Sequence, residues 1–368
     1  MTSETTRQLD AVQNSFRTLL TDFRAKLETQ LQEWLTAKES EAAAESAASR
    51  ELTGVLTRFV ARDGKRIRPA LLYYTYRACG GQSDHKVMPM AKAVELLHTY
   101  LLIHDDIMDH ADVRRGEPAA HVIYTDLHRH RGWQGNPEHF GESVAILLGD
   151  LAQTYSLELY SSVELAPEVA TEFRQQFSVM CQEVVLGQYL EMTAGYREHL
   201  EEDELLRVLR MKSGRYSVER PVQLGYLLAR APEATRHALT VYGLKMGEAF
   251  QLQDDLLGMF GDAKTVGKPV GADLVEGKFT LLIHHAFRHL SDGDRRVLQQ
   301  ALGNPALKQA EVLKVQRMIE ASGARKRVQE MIDGRLRDAR EALLNVELAE
   351  DGAAFLEGLV EYLRGRKR

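Results

Sequence analysis

Three carboxylates, Asp105, Asp106 and Asp109, close a long apolar pattern, and two arginines, Arg114 and Arg115, follow them. Asp105 and Asp109 are four residues apart, so on a helix both rise from one face with Cβ atoms roughly 5–6 Å apart. Carboxylates that close repel unless a positive charge lies between them, and a hard divalent cation taking oxygen ligands meets that need. Guanidinium groups suit phosphate oxygens. Together the two residue types imply a magnesium–diphosphate ligand. An isolated Asp-Asp-x-x-Asp is more often a solvated helix end. The apolar run Val94, Leu96, Leu97, Leu101, Leu102, Ile103 belongs to a buried helix and aims these acids at an interior cleft.

The arrangement recurs further on. Gln251, Asp254, Asp255 and Gly258 fall at i, i+3, i+4 and i+7, one helical face. A glycine-bearing loop with Lys264 and Lys268 follows, then Asp273 and Lys278. Two copies of acids ending an apolar helix, each trailed by cations, are hard to assign to solvated termini. Between them Lys212 precedes Ser213-Gly214, a pair able to kink a helix. A cleft-facing lysine there reaches a phosphate, and an exposed one has no role.

Upstream, Asp63-Gly64-Lys65-Arg66-Ile67-Arg68-Pro69 gathers cations beside a glycine. Gly64 permits a tight turn and Pro69 suits the first turn of the next helix. The stretch is either a solvated basic turn or a phosphate clamp helped by the helix N-terminus, with Lys65 and Arg68 on a shared face. His98 lies two turns before Asp105 on the same face, either as a core histidine or as a donor to a phosphate oxygen.

These residues need helices to hold them, and the periodicity supplies little else. Residues 1–60 read as packing helices, the second running over 37–62. A helix over 70–80 ends at Gly80-Gly81, and the next, capped by Ser83 or Asp84, runs to the first acids. Residues 125–143 break periodicity and read as a surface loop with solvated His128, His130 and His139. A helix over 142–163 carries Asp150 in an apolar run, where it needs a partner. Further helices run from Pro167 to about 196 and through 280–368, ending in a solvated basic tail. The expected fold is all-α, a single large helical bundle with one domain spanning 1–368.

Composition narrows the function. A formal net charge of −6 and a pI near 6.1 argue against a general nucleic-acid binder. Cys79 and Cys181 stand far apart, which predicts free thiols and a reducing, cytoplasmic setting. No apolar run approaches the ~20 residues that span a bilayer, and no signal-peptide core opens the chain.

With both acidic clusters in view, the chain resembles the trans-isoprenyl diphosphate synthases, the family of farnesyl and geranylgeranyl diphosphate synthases. The matching motifs are Gly64-Lys65-Arg66, Asp105-Asp106-Ile107-Met108-Asp109 with Arg114-Arg115, Lys212-Ser213, Phe250 to Asp255, and Gly267-Lys268-Pro269. The resemblance implies a helical bundle around one deep central cavity and a homodimer. It implies that Lys65, Arg68, His98 and Arg115 bind isopentenyl diphosphate, that Arg114, Lys212, Gln251 and Lys268 hold the allylic diphosphate, and that Ser213 and Lys278 are further substrate-binding residues. Asp105, Asp109 and Asp254 would ligate three Mg2+ ions, with Asp106 and Asp255 also catalytic. Tyr100 and Leu101, roughly 6–7.5 Å below Asp105 along the helix, would floor the cavity and set a geranylgeranyl product. Farnesyl or longer products remain alternatives. One departure is Gly258, where the family's second motif carries its last acid; it leaves open a catalytically weak regulatory subunit. A terpene cyclase would need an Asn/Asp-rich second motif, which Gln253-Asp254-Asp255-Leu256-Leu257-Gly258 is not.

Overall fold

The computed structural model describes residues 3–194, 196–197, 200–261 and 271–366, with side chains from residue 12 onward. Almost all of them are helical, and the only strands among them form a two-stranded antiparallel ribbon, β1 (Val113–Arg114) with β2 (Glu117–Pro118). The helices are α1 (Ser3–Glu45), α2 (Ala47–Ala61), α3 (Ile67–Ala78), α4 (Asp84–Met108), α5 (Ala120–His130), α6 (Pro137–Ser161), α7 (Pro167–Ala194) and α8 (Glu202–Leu209). A wide π-helical segment, Arg210–Glu219, leads into α9 (Arg220–Leu228) and α10 (Glu233–Phe260). Then come α11 (Ala272–Val275), α12 (Leu281–His289), α13 (Asp292–Ala301), α14 (Gln309–Ala321), α15 (Ala324–Leu343) and α16 (Glu350–Gly365). The all-α expectation holds. No helix of the described residues is long and apolar enough to cross a membrane.

Contacts divide the chain into two compact units, a smaller one of residues 17–73 and 82–165 and a larger one of residues 1–16, 74–81 and 166–368. In the smaller unit α4 lies along α6, its apolar residues Val94, Leu96, Leu97 and Ile103 buried with Ala145, Leu148 and Ala152. Ser156 Oγ donates to the Ala93 carbonyl at 2.7 Å, tying the two helices where small residues let their backbones approach. In the larger unit α10 packs on α15 and on the π segment. The Tyr242 hydroxyl, fully buried, donates to the Leu356 carbonyl at 2.8 Å, and Phe355 stacks on Tyr74 at 4.2 Å.

Three expectations need correction. The loop read over 125–143 is mostly helix: α5 continues to His130, and α6 starts at Pro137 with the Asn136 side chain accepting from the His139 N–H at 3.1 Å. Within it His128 is buried, its ring against Trp133 and Phe140 with centroids 5.9 and 5.2 Å away, and its Nε2 donates to the Gln134 carbonyl at 3.2 Å. An aromatic cluster of this kind mixes with polar residues and hides the 3.6-residue period. Asp150, expected to be buried, is exposed and solvated, with His104 Nε2 at 3.8 Å. The basic tail is not simply solvated: Arg366 Nη1 donates to Asp254 at 2.7 Å, and the Arg366 carbonyl accepts from Gln253 at 2.8 Å.

Candidate active site

In the smaller unit Asp105 and Asp106 occupy the last turn of α4, and Asp109 is its C-terminal cap, its N–H donating to the Asp105 carbonyl at 2.8 Å. A helix C-terminus is the negative end of the backbone dipole, so carboxylates there need a cation. Arg114 meets part of that need. Its Nε donates to Asp106 Oδ1 at 2.7 Å and its Nη2 to the same oxygen, with Asp105 Oδ2 3.8 Å away. Asp106 is fully buried, while Asp105 and Asp109 keep part of their surface open. Arg114 reaches them because β1 and β2 are joined by the two-residue turn Arg115-Gly116, both with positive φ (55° and 78°), the geometry that suits a tight hairpin.

The basic stretch before α3 divides its labour. Arg66 is almost fully buried at φ 52° and donates to Glu28 at 3.1 Å, to Glu95, and to the Val60 and Arg62 carbonyls at 2.7 and 2.9 Å. It is a strut that fixes the turn. Arg115 Nη1 donates to the Arg62 carbonyl at 3.3 Å, and a Cβ on Gly64 would stand 2.8 Å from the Arg115 guanidinium. Arg68 Nη1 donates to His98 Nε2 at 3.2 Å. Burial, followed by Arg68, Arg115 and Arg114, holds His98 well below the ordinary histidine range, so it stays neutral. Arg68, His98 and Arg115 are therefore brought together, and Lys65 stands exposed at their edge. This gathering of positive charge around a neutral imidazole suits an anion. Tyr100 lies half-buried one turn before His104, the two rings 4.7 Å apart, and Leu101 is half-buried beside it.

In the larger unit the second motif lies on α10. Gln251 Nε2 donates to Asp255 Oδ1 at 2.8 Å. Asp254 faces Arg366 instead. Asp255 lines a pocket together with Gln251, Lys212, Ser213, Glu191 and Lys278, closed by Leu205, Leu209, Phe279 and Leu281. Lys212 donates to Glu191, and Lys278 pairs with Glu276 at 2.7 Å. Lys212 lines this pocket and is mostly withdrawn from solvent.

The π segment places it there. Arg210 donates to the buried Glu248 at 2.6 Å; Arg215 and Arg220 converge on Glu183 at 2.6 and 2.8 Å. Gly214 and Gly247 let the segment and α10 meet backbone to backbone, since a Cβ on Gly247 would lie 2.2 Å from the Gly214 carbonyl oxygen. Wide helical turns of this type recur at functional sites.

Gly258 has a geometric reason. A Cβ there would sit 2.0 Å from an Asp273 carboxylate oxygen, so Asp273 fills the space that a side chain at 258 would take. The acid missing from α10 is matched by one delivered from α11. Sequence reasoning assigned Asp273 no role; its glycine partner was the available signal. Lys268, together with Asp262 and Gly267-Lys268-Pro269, lies outside the described residues.

Carboxylates crowd Asp255 in this pocket. Burial first, then the neighbouring Asp273, pushes the Asp255 carboxyl up to about 8, with Glu191 and Asp254 adding to the rise and the Gln251 hydrogen bond opposing it. Carboxylates gathered this closely form an oxygen donor set that fits a hard divalent cation such as Mg2+. The acids at the C-terminus of α4 fit for the same reason.

The polyprenyl synthetase family model matches residues 49–319. The chain belongs to that family. A short chain isoprenyl diphosphate synthase of Methanocaldococcus jannaschii is 39% identical over 68% of this chain and 70% of its own. A (2E,6E)-farnesyl diphosphate synthase of Mycobacterium tuberculosis is 30% identical over 83% of this chain and 80% of its own. Among solved structures, a geranylgeranyl pyrophosphate synthase of Corynebacterium glutamicum, complexed with isoprenyl diphosphate and magnesium, superposes with a TM-score of 0.90 at 31% identity, covering 95% of this chain and 99% of that one. The fold is thus of the isoprenoid synthase type, and the protein is an enzyme of the prenyl diphosphate synthase family, of the short-chain trans type.

Proposed function

We propose that the chain condenses isopentenyl diphosphate with an allylic diphosphate and releases geranylgeranyl diphosphate. The observation that carries this reading is the pair of acidic clusters, each built at a helix with its own cations, on units that a single family model spans. Asp105, Asp109 and Asp254 would ligate three Mg2+ ions. Bound Mg2+ would stabilise the negative charge that develops on the leaving diphosphate. Arg114, Lys212, Gln251, Lys268 and Lys278 orient the allylic diphosphate and favour the charge formed as its C–O bond breaks. Lys65, Arg68, His98 and Arg115 hold isopentenyl diphosphate so that its double bond faces the new cation. Apolar helix faces keep water from that cation. Loss of a proton completes the product.

Tyr100 and Leu101 set product length from one turn below the acids. Exposed apolar stripes on α6 (Ile146, Leu147, Leu157) and α7 (Val185, Leu186, Tyr189, Met192) support a homodimer. Free cysteines support a cytoplasmic setting.

The test is incubation with isopentenyl diphosphate, Mg2+ and each allylic diphosphate, followed by sizing of the products. The expected result is a geranylgeranyl product from the native chain and a longer one from Tyr100→Ala. A farnesyl or longer native product would overturn the chain length, and an unchanged product in the variant would remove Tyr100 as the floor. Absence of chain extension would point to a regulatory subunit, and a cyclic hydrocarbon to a cyclase.

A further inference from the structure

The larger unit holds another group of ligand-bearing side chains away from both acidic motifs. Glu202 opens α8, and His284 and His285 are neighbours on α12; one ligand atom from each of the three lies within 4.8 Å of the others. Both imidazoles are deeply buried, at 7% and 5% exposure. Nε2 of each is buried without a hydrogen-bond partner. Buried polar atoms are rarely left in that state unless something binds them. His284 also makes a backbone hydrogen bond at Leu200, the kind of outer contact that fixes a ligating imidazole in one tautomer.

We propose that Glu202, His284 and His285 form a binding site for a divalent transition-metal ion of the zinc type, separate from the magnesium sites. Two imidazoles and one carboxylate are a donor set that Zn2+ accepts with a further position open, whereas Mg2+ prefers oxygen alone. Ligand atoms about 2.0–2.2 Å from one ion lie at most ~4.4 Å apart, so three atoms already within 4.8 Å of one another need to close by only ~0.4 Å at most. The ion would brace α8 against α12. Leu205 and Leu209 of α8 and the stretch from Lys278 to Leu281 entering α12 line the Asp255 pocket, so the brace would hold two of its walls.

The experiment uses the full chain, freed of metal with a chelator and returned to excess Mg2+. Zn2+ is titrated in by calorimetry with metal content measured in parallel; Co2+ serves as a spectroscopic probe of nitrogen ligation. The expected result is stoichiometric Zn2+ uptake that excess Mg2+ does not displace. Glu202→Gln and His285→Gln should weaken it by about 10–100-fold or more. Glu202 is half-buried, so that variant decides the matter if the histidine variant does not fold. Native protein that takes up no Zn2+, or Glu202→Gln that binds it as the native chain does, overturns the proposal.

Discussion

In the smaller unit the most buried acid, Asp106, is matched by Arg114, whereas in the larger unit Asp255 sits among Asp273, Glu191 and Asp254, with Lys212 on Glu191 and Lys278 on Glu276. The residue types are nearly the same, yet Asp106 pairs directly with a guanidinium while the Asp255 carboxyl is pushed up by burial and neighbouring acids. Arg114 rides on a rigid hairpin one short step from its partner. Lys212 reaches its pocket from a π segment that Glu183 and Glu248 hold in place. Asp106 sits in a buried salt bridge, whereas Asp255 is held among like charges.

That contrast makes a stability prediction of opposite signs. Asp106→Asn leaves Arg114 facing a neutral amide in a buried site and should cost up to about 3–5 kcal/mol in denaturant unfolding. Asp255→Asn keeps an acceptor for Gln251 and removes a carboxylate from a repulsive group, so the metal-free chain should melt higher than the native one. A shared sign for the two variants would erase the contrast. Both should lose chain extension.

Gly258→Asp restores the family's usual acid by sequence but drives it into Asp273. It should destabilise by about 1–3 kcal/mol through overpacking and like charge, with no gain in activity. A more active Gly258→Asp would mean that Asp273 does not stand in for the missing acid.

The smallest effect concerns His98. The unfolded chain takes up a proton on His98 near the ordinary histidine value of about 6.5, which the folded site refuses. This contribution to stability is therefore complete above about pH 6.5 and is lost as pH falls below it. Between about pH 7.5 and about pH 5.5 the native chain should lose about 1 kcal/mol more than His98→Gln in urea unfolding. Equal losses would mean that His98 charges freely.

Much of this was legible in the chain. Asp105, Asp106, Asp109, Gln251, Asp254 and Asp255 announce themselves by helical spacing, and the cations by their proximity in sequence. Arg66 was not: it looks like its neighbours Lys65 and Arg68, and only its pairing with Glu95 across 29 residues makes it a strut. Arg366 on Asp254 closes 112 residues, and no local pattern records such a pairing. The exchange between Gly258 and Asp273 is a matter of filled volume, which spacing does not express. His128 misled because a histidine in a polar stretch reads as solvated until two aromatic rings are folded onto it.

The proposed function requires that Asp105 and Asp254 both contribute to Mg2+-dependent pyrophosphate binding. Calorimetric titration of inorganic pyrophosphate in the presence of Mg2+, on the native chain and on Asp105→Asn and Asp254→Asn, tests it most directly. Both single variants should lose Mg2+-dependent binding by comparable factors, and the double variant should lose less than their product. Native-like pyrophosphate binding by either single variant would contradict it.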